Sequence, residues 1–239
     1  MSGKLYLIPT VLAEGTENTV LPPSIRTTIQ NLNYFLCENV RTARRFVSRL
    51  QLHSNLESLH FDLLDKDTSE DLLPTLMKPI RDGHDVGILS ESGCPAVADP
   101  GARAVEYAHE HQIQVIPLSG PSSLILSLMA SGLNGQQFAF HGYLPVDADE
   151  AATVIRMLEK ESKEKNQTQI FIETPYRNNQ RLTSLLKNLR DDTRLCVSIN
   201  LTAPEEKIIS MPVAAWRKQP LQLDKQPATF LFLAASKMR

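Results

Sequence analysis

Three glutamates, one Ser-Glu-Ser-Gly loop and a row of arginines are the residues of this chain whose types and spacing could do chemistry. Ser90-Glu91-Ser92-Gly93 follows an apolar run directly. Serine and glycine let a backbone approach a ligand closely, and the N–H groups of such a loop can bind its polar edge. An ordinary strand-to-helix turn has the same composition. Pro121 suits the first position of a helix, which places Ser122 and Ser123 in the first turn, where N–H groups lack intrahelical partners. That start would serve as a wall for a nucleoside or as plain capping of a core helix. Glu38, Glu91 and Glu173 stand at or just past expected strand ends and are candidate proton acceptors. For any single one, capping, or pairing with an arginine such as Arg177, is the simpler explanation. Arg41, Arg45 and Arg49 recur every four residues with Arg44 beside them, so they share one helix face. That face is either a phosphate-contacting surface or a solvated one.

Other chemistries find no support. The three cysteines, Cys37, Cys94 and Cys196, are widely spaced, and no CxxC pair or HExxH occurs, so no metal site is expected. Cys94 has no histidine placed nearby to activate it and reads as a small packed side chain. No GxGxxG or Walker A loop follows the first strand, which disfavours a dinucleotide dehydrogenase or a P-loop NTPase. The net charge is -2, so a nucleic-acid partner would have to be met by a local patch rather than by the whole field. No apolar run approaches a bilayer span, and MSGKLYLIPTVLAEG lacks a basic start ahead of a long apolar stretch. A cytoplasmic protein without a membrane partner is the expectation.

The elements that must position these residues alternate along the chain. With 239 residues, 42% of them hydrophobic, a buried core in one large or two small domains is expected. LYLIP (5–9), YFLCE (34–38), LESLHF (56–61), VGILS (86–90) and IQVIPL (113–118) read as strands joined by crossover helices. Several are apolar on both faces, which suits a parallel sheet covered on each side. FAFHGYL (138–144), QIFIET (169–174), RLCVSIN (194–200), KIISM (207–211) and TFLFLA (229–234) form a second set, and short loops among the last three suggest antiparallel pairing. Leu182, Leu185, Leu186 and Leu189 define the core face of a helix near 178–190. The helix after Pro121 is apolar all round and is expected to be buried, and 159–167 is expected to be solvated. The fold expected is α/β with two domains, 1–118 carrying a parallel sheet and 119–239 a mixed sheet. In such sheets ligands bind beyond the carboxyl ends of the strands.

ILSESGCPAVADPGARAV (88–105), followed by PLSGPSSLILSLMASGL and FHGYLP, resembles the tetrapyrrole methylase-like superfamily of S-adenosylmethionine-dependent methyltransferases. It is most similar to the branch that methylates the ribose 2′-oxygen of a cytidine in 16S ribosomal RNA. FIETPYR (171–177) resembles that branch's Phe-Tyr-Glu-Ser-Pro-His-Arg segment, and NLTAPEEKI (200–208) is similar to the Arg-Ala-Thr-Trp-Pro-Asp-Glu-Lys segment of corrin-ring methylases. The similarity runs from about residue 4 to residue 234. Two departures stand out. The family's short glycine-rich first loop is replaced by the bulkier Pro9-Thr10-Val11-Leu12-Ala13-Glu14-Gly15, and in the Ala-Glu-Asp-Thr-Arg segment Glu38 and Arg41 are kept around Asn39 and Val40.

The resemblance implies two α/β domains with S-adenosylmethionine in the cleft between them, and a homodimer. Its cofactor contacts would fall on Ser90, Glu91, Ser92, Gly93 and Val97, then on Ser122 and Ser123. Ile172, Glu173, Leu201, Ala228 and Thr229 would complete the pocket. The small residues would make room for the methionine end, and Asp99-Pro100-Gly101 would turn the chain into a covering helix. The expected activity is methyl transfer to a ribose 2′-oxygen of ribosomal RNA in the small subunit, with Arg41, Arg45 and Arg49 as substrate contacts. Methylation of a small molecule such as a tetrapyrrole precursor, or a non-catalytic relative that binds cofactor or RNA, are the alternatives. No catalytic base is singled out among Glu38, Glu91 and Glu173.

Overall fold

The computed structural model describes residues 2–219, 221–223 and 225–235. Its chain divides into two units, Met1–Ser122 and Ser123–Arg239. In the N-terminal unit β1 (Leu5–Ile8), β2 (Tyr34–Cys37), β3 (His60–Leu63), β4 (Val86–Leu89) and β5 (Val115–Pro117) form one sheet in the order β3-β2-β4-β1-β5. Every pairing in it is parallel, as the doubly apolar runs implied. At Gly87 in β4, a Cβ would stand 2.6 Å from Ile8 Cδ1 and 3.0 Å from Leu32 Cδ1, so the glycine lets those side chains pack against the strand and a larger residue would force them to shift.

Helices cover this sheet. Among those longer than one turn, α1 (Pro23–Gln30) buries Ile25 and Ile29, and α2 (Val40–Leu50) buries Ala43, Phe46, Val47 and Leu50. That i, i+3, i+4, i+7 spacing turns the arginines of α2 to the opposite, exposed face. Asn39 starts α2, its side chain accepting from Arg41 N and Thr42 N, and Gln51 ends it in the left-handed conformation at φ 54°. Asp99 Oδ1 accepts from Ala96 N and Gly101 N and so launches α3 (Gly101–Glu110). The strand expected at 56–61 starts later. Asn55 accepts from Glu57 N and caps a 3₁₀ turn over Leu56–Ser58, which consumes the first half of that run before β3 begins at His60.

In the C-terminal unit β6 (Phe138–Tyr143), β7 (Thr168–Ile172), β8 (Arg194–Ile199), β9 (Lys207–Pro212) and β10 (Ala228–Leu233) pair in the order β6-β7-β10-β8-β9. Only β6 and β7 are parallel, so the sheet is mixed. The last three strands are antiparallel, but they are not a simple meander, because β10 inserts between β7 and β8. Phe171 of β7 stacks on Phe230 of β10 at 5.6 Å between ring centroids, and in the same core Trp216 donates to Leu195 O at 2.8 Å.

Among the described residues, three helices longer than one turn flank this sheet. The first, α4 (Ser123–Ser131), begins two residues after Pro121, and it is not buried all round. One side, carrying Leu128 and Ser131, packs on Ile170, Cys196 and Leu231, while Ile125 is 47% and Met129 74% exposed. An apolar helix against one sheet face has one covered side, whatever its composition. The second, α5 (Ala148–Lys165), is capped by Asp147, whose side chain accepts from Asp149 N and Glu150 N. Its end, expected to be solvated, is half structural. Glu159 is buried and accepts from Arg190 N and Thr193 Oγ1, and the Ser162 hydroxyl donates to Gln167 O and accepts from Ala234 N. The third, α6 (Asn178–Asn188), buries Leu182 and Leu185, with Leu189 following.

Candidate active site

β1, β2 and β4 lie side by side with Ile8 and Cys37 both in register with Leu89, so Pro9, Glu38 and Ser90 leave the sheet along one edge. A cleft of about 120 Å³ lies among the loops they start, lined by Thr10, Leu12, Glu14, Glu38, Arg45 and Ser90 with their neighbours. Ser90 is buried and its hydroxyl both accepts from Ser92 N and donates to Ser92 O, which folds the loop back on itself. Gly93 adopts φ +78°, and a Cβ there would meet Leu12 Cδ2 at 3.1 Å and Pro121 O at 3.3 Å. The room made by this glycine is therefore filled by the bulky first loop, which is also tied down by Thr10 N donating to Gly93 O at 2.9 Å. Thr10 Oγ1, buried in the same place, has no hydrogen-bond partner.

Glu38 is half-buried at the mouth of β2. Burial pushes its carboxyl up, and the charges of Asp99, Glu91 and Asp65 push further, to about 7. A carboxyl poised there is a competent base near neutrality. The cysteines offer no rival chemistry. Burial raises the Cys37 thiol to about 12 and also raises Cys94, whose Sγ donates to Pro121 O at 3.5 Å.

Glu173 has the opposite surroundings. It follows β7 with no exposed side-chain surface and meets Arg177 at 2.6 Å and Arg181 at 2.9 Å. Burial raises its carboxyl, but hydrogen bonds from Thr174 N, Arg177 and Arg181 outweigh that and hold it below its ordinary value. Arg181 is itself buried and also donates to Leu144 O and Pro145 O. A carboxylate held this way anchors the turn after β7 and is a poor proton acceptor.

The remaining expected contacts fall into groups within each unit. Ile172, Ala228 and Thr229 come together, because Thr229 pairs with Ile172 and Ala228 with Ile199, just ahead of the buried Leu201. Next to Leu201, Thr202 Oγ1 is buried without a partner. Val97 is exposed, beyond the Ser90–Gly93 loop, and Glu91 and Ser92 are exposed within it. Ser122 ends the N-terminal unit and Ser123 opens α4. On α2, Arg49 meets Glu14 at 2.6 Å and Glu17 at 3.7 Å, and Arg45 meets Glu14 at 3.7 Å, so much of that face is neutralised. Sequence reasoning missed Thr10, Glu14, Arg181 and Thr202. Only Arg181, eight residues after Glu173, left a trace, as an arginine on the α6 core side. Among the described residues no cluster could hold a metal, and no helix is long and apolar enough to cross a membrane.

Residues 23–216 match the model of the tetrapyrrole (corrin/porphyrin) methylases. Proteins named ribosomal RNA small subunit methyltransferase I are similar over most of the chain. The one from Mesorhizobium japonicum is 28% identical over 204 residues, 85% of this chain and 65% of that protein. Those from Escherichia coli O157:H7 and Micromonospora olivasterospora are 26% and 31% identical, covering 91% and 87% of this chain. The chain spans 73% and 62% of those two proteins' length. Among solved structures, the methyltransferase CobJ aligns with a TM-score of 0.64 at 16% identity, over 100% of this chain and 97% of its own. Uroporphyrin-III-C-methyltransferase from Thermus thermophilus aligns with a TM-score of 0.56 at 18% identity, over 98% and 93%. These two likenesses are of fold. With the match to the family model covering most of its length, the chain belongs to the tetrapyrrole (corrin/porphyrin) methylase family of methyltransferases.

Proposed function

We propose that this chain transfers a methyl group from S-adenosylmethionine to a ribose 2′-oxygen of small-subunit ribosomal RNA, with Glu38 as the proton acceptor. The observation that carries the reading is the placement of Glu38: on the carboxyl edge of the parallel sheet, lining the cleft beside Ser90, with its carboxyl pushed up to about 7. The names of the similar proteins support the RNA substrate.

The residues present suit the donor. Thr10 Oγ1 in one unit and Thr202 Oγ1 in the other are buried hydroxyls without protein partners, and each adjoins a proposed contact, Gly93 and Leu201 respectively. The other proposed contacts are Ser90, Glu91, Ser92, Val97, Ser122, Ser123, Ile172, Glu173, Ala228 and Thr229. When bound, the sulfonium supplies a methyl group whose leaving thioether needs no proton. Glu38 accepts a hydrogen bond from the ribose hydroxyl and takes its proton as the oxygen gains the methyl group. Leu12 and Phe46, which line the same cleft, keep water from that proton. Arg45 and Arg49 line it too, and with Arg41 they stand where the phosphates flanking the target would pass. A homodimer in the cytoplasm is part of this proposal, and light scattering on the purified chain checks the dimer.

S-adenosylmethionine or its demethylated product should raise the melting temperature, because a ligand that binds the folded state stabilises it by mass action. Labelled methyl should enter undermethylated small ribosomal subunits, appear as an alkali-resistant ribose, and be absent from a panel of tetrapyrrole precursors. No thermal shift at millimolar donor would sink the cofactor assignment. Label on a base, or only on a tetrapyrrole, would sink the acceptor.

A further inference from the structure

Resting on that reading, we propose that the groove between α5 and α6 in the C-terminal unit is a second contact surface for the RNA, holding its phosphodiester backbone. The groove has a volume of about 630 Å³, and a hollow of about 230 Å³ adjoins it, the two sharing Arg156. Arg156, Lys160 and Lys163 stand at i, i+4 and i+7 of α5, so they form one stripe along the helix. At a rise of about 1.5 Å per residue the stripe spans about 10 Å. Arg177 and Lys187 face it from the other helix and its leading turn.

Charge decides what this surface can hold. Seven cationic side chains and four carboxylates line the groove and hollow, in a chain whose net charge is -2, and one of the seven, Lys160, is answered from outside the lining by Glu164 at 3.8 Å. The carboxylates are already committed. Glu173 serves both Arg177 and Arg181, Glu159 faces inward to Thr193, and Asp192 meets Arg190 at 3.5 Å. Asp149 sits in the first turn of α5, where the helix dipole favours it. Arg156 is held across the groove by a neutral partner, Asn188 Oδ1 at 2.8 Å, so its guanidinium is positioned while its charge stays uncompensated. Thr153, Gln180 and Ser184 add neutral hydrogen-bonding groups between the cations. Cations interleaved with neutral polar groups, one of them held in place, match a phosphate backbone.

Tyr176 favours RNA over an acidic protein. It directly precedes Arg177, is 79% exposed, and has Lys225 Nζ 5.2 Å from its ring centroid. An exposed ring at the end of a cationic groove is a stacking platform for an unpaired base.

The test uses the full chain with Arg156→Gln, Lys163→Gln and Lys187→Gln combined, all three being exposed, and separately Tyr176→Ala. Binding of a fluorescein-labelled synthetic RNA hairpin is followed by anisotropy across a salt series, with thermal melting and the donor-induced shift as controls for folding. The triple variant should lower the magnitude of the slope of log K against log salt by about 2 to 3, since each lost phosphate contact removes a little under one. Tyr176→Ala should weaken binding about tenfold with the slope unchanged, because stacking does not release counterions. An unchanged slope in a folded triple variant would overturn the inference while leaving the methyltransferase reading intact, provided the wild type still methylates subunits. Normal hairpin binding with lost methylation of whole subunits would overturn it in favour of an acidic ribosomal protein. A wild type that neither binds nor methylates RNA would overturn both.

Discussion

Glu38 and Glu173 occupy the same kind of place, just beyond the carboxyl end of an inner strand, and their surroundings drive them apart. Glu38 follows β2 among Asp99, Glu91 and Asp65 and is raised to about 7. Glu173 follows β7 between two guanidiniums and the N–H of Thr174 and is held low. The two arginine groups differ in the same way. On α2, Glu14 and Glu17 answer Arg45 and Arg49, whereas in the α5–α6 groove one carboxylate is divided between two arginines and Arg156 leans on an amide. Position selects the candidates, and the partners that folding brings up decide which of them retain a free function.

Breaking the Glu173 cluster should produce the largest effect. Arg181→Ala leaves a buried carboxylate with one guanidinium and the Thr174 N–H, both on Oε1, strips Oε2 of its partner, and frees the Leu144 and Pro145 carbonyls, so urea denaturation should show a loss of about 3 to 5 kcal/mol. A loss under about 1 kcal/mol would mean that the cluster is no more than a surface ion pair. Because the folded carboxyl of Glu173 titrates below its ordinary 4.5, the stability it adds is present above pH 4.5 and is lost as pH falls through the lower folded value. Glu173→Gln should flatten that acid limb.

Glu38→Gln is next in size and opposite in character. Loss of a positioned base should lower the methyl-transfer rate by about 10²- to 10⁴-fold, with the donor-induced thermal shift retained. In the wild type the rate should climb with pH and level off above about 7, and the variant should lack that limb. The stability sign is reversed relative to Glu173. A carboxyl raised in the fold favours the protonated form, so its contribution is fully present below 4.5 and is lost as pH rises through about 7. At pH 8 the glutamine variant should therefore melt higher than the wild type. A variant that is slower but no more stable at pH 8 would show that Glu38 is not strained by its neighbours.

Much of this was legible from local pattern. The doubly apolar β2 and β4, the core face of α6 and the Asp99 turn all follow from periodicity and capping, which act over a few residues. What the sequence hid was set by distance. The insertion of β10 between β7 and β8 joins residues such as Thr229 and Ile172 that no turn links. Glu14 reaches Arg49 across 35 residues, so the α2 arginines looked free when they are not. The start of β3 was misplaced for the reverse reason, since the Asn55 cap is a local signal that overrode an apolar run. Arginines eight residues beyond a glutamate, as Arg181 is, announce no pairing until a turn brings them back.

The smallest expected effect tests the arginine comparison most sharply. Three arginines and two glutamates leave about one uncompensated charge on the α2 face, so alanine at Arg41, Arg45 and Arg49 together should flatten the salt slope of RNA binding by about one, less than the groove variant. Glu14→Gln runs the comparison backwards. It releases Arg45 from its 3.7 Å contact and Arg49 from its 2.6 Å contact while leaving Glu17 in place. Glu14 is exposed and its carboxyl is held low chiefly by the Arg49 hydrogen bond, so its removal should hardly change the melting temperature. Binding at low salt should tighten slightly and the slope should steepen by less than one, because one masked cation becomes available to a phosphate. A steepening as large as the groove variant's loss would make α2 the principal backbone contact. No change would place the α2 face outside the RNA footprint, with its arginines serving only to pin the first loop through Glu14.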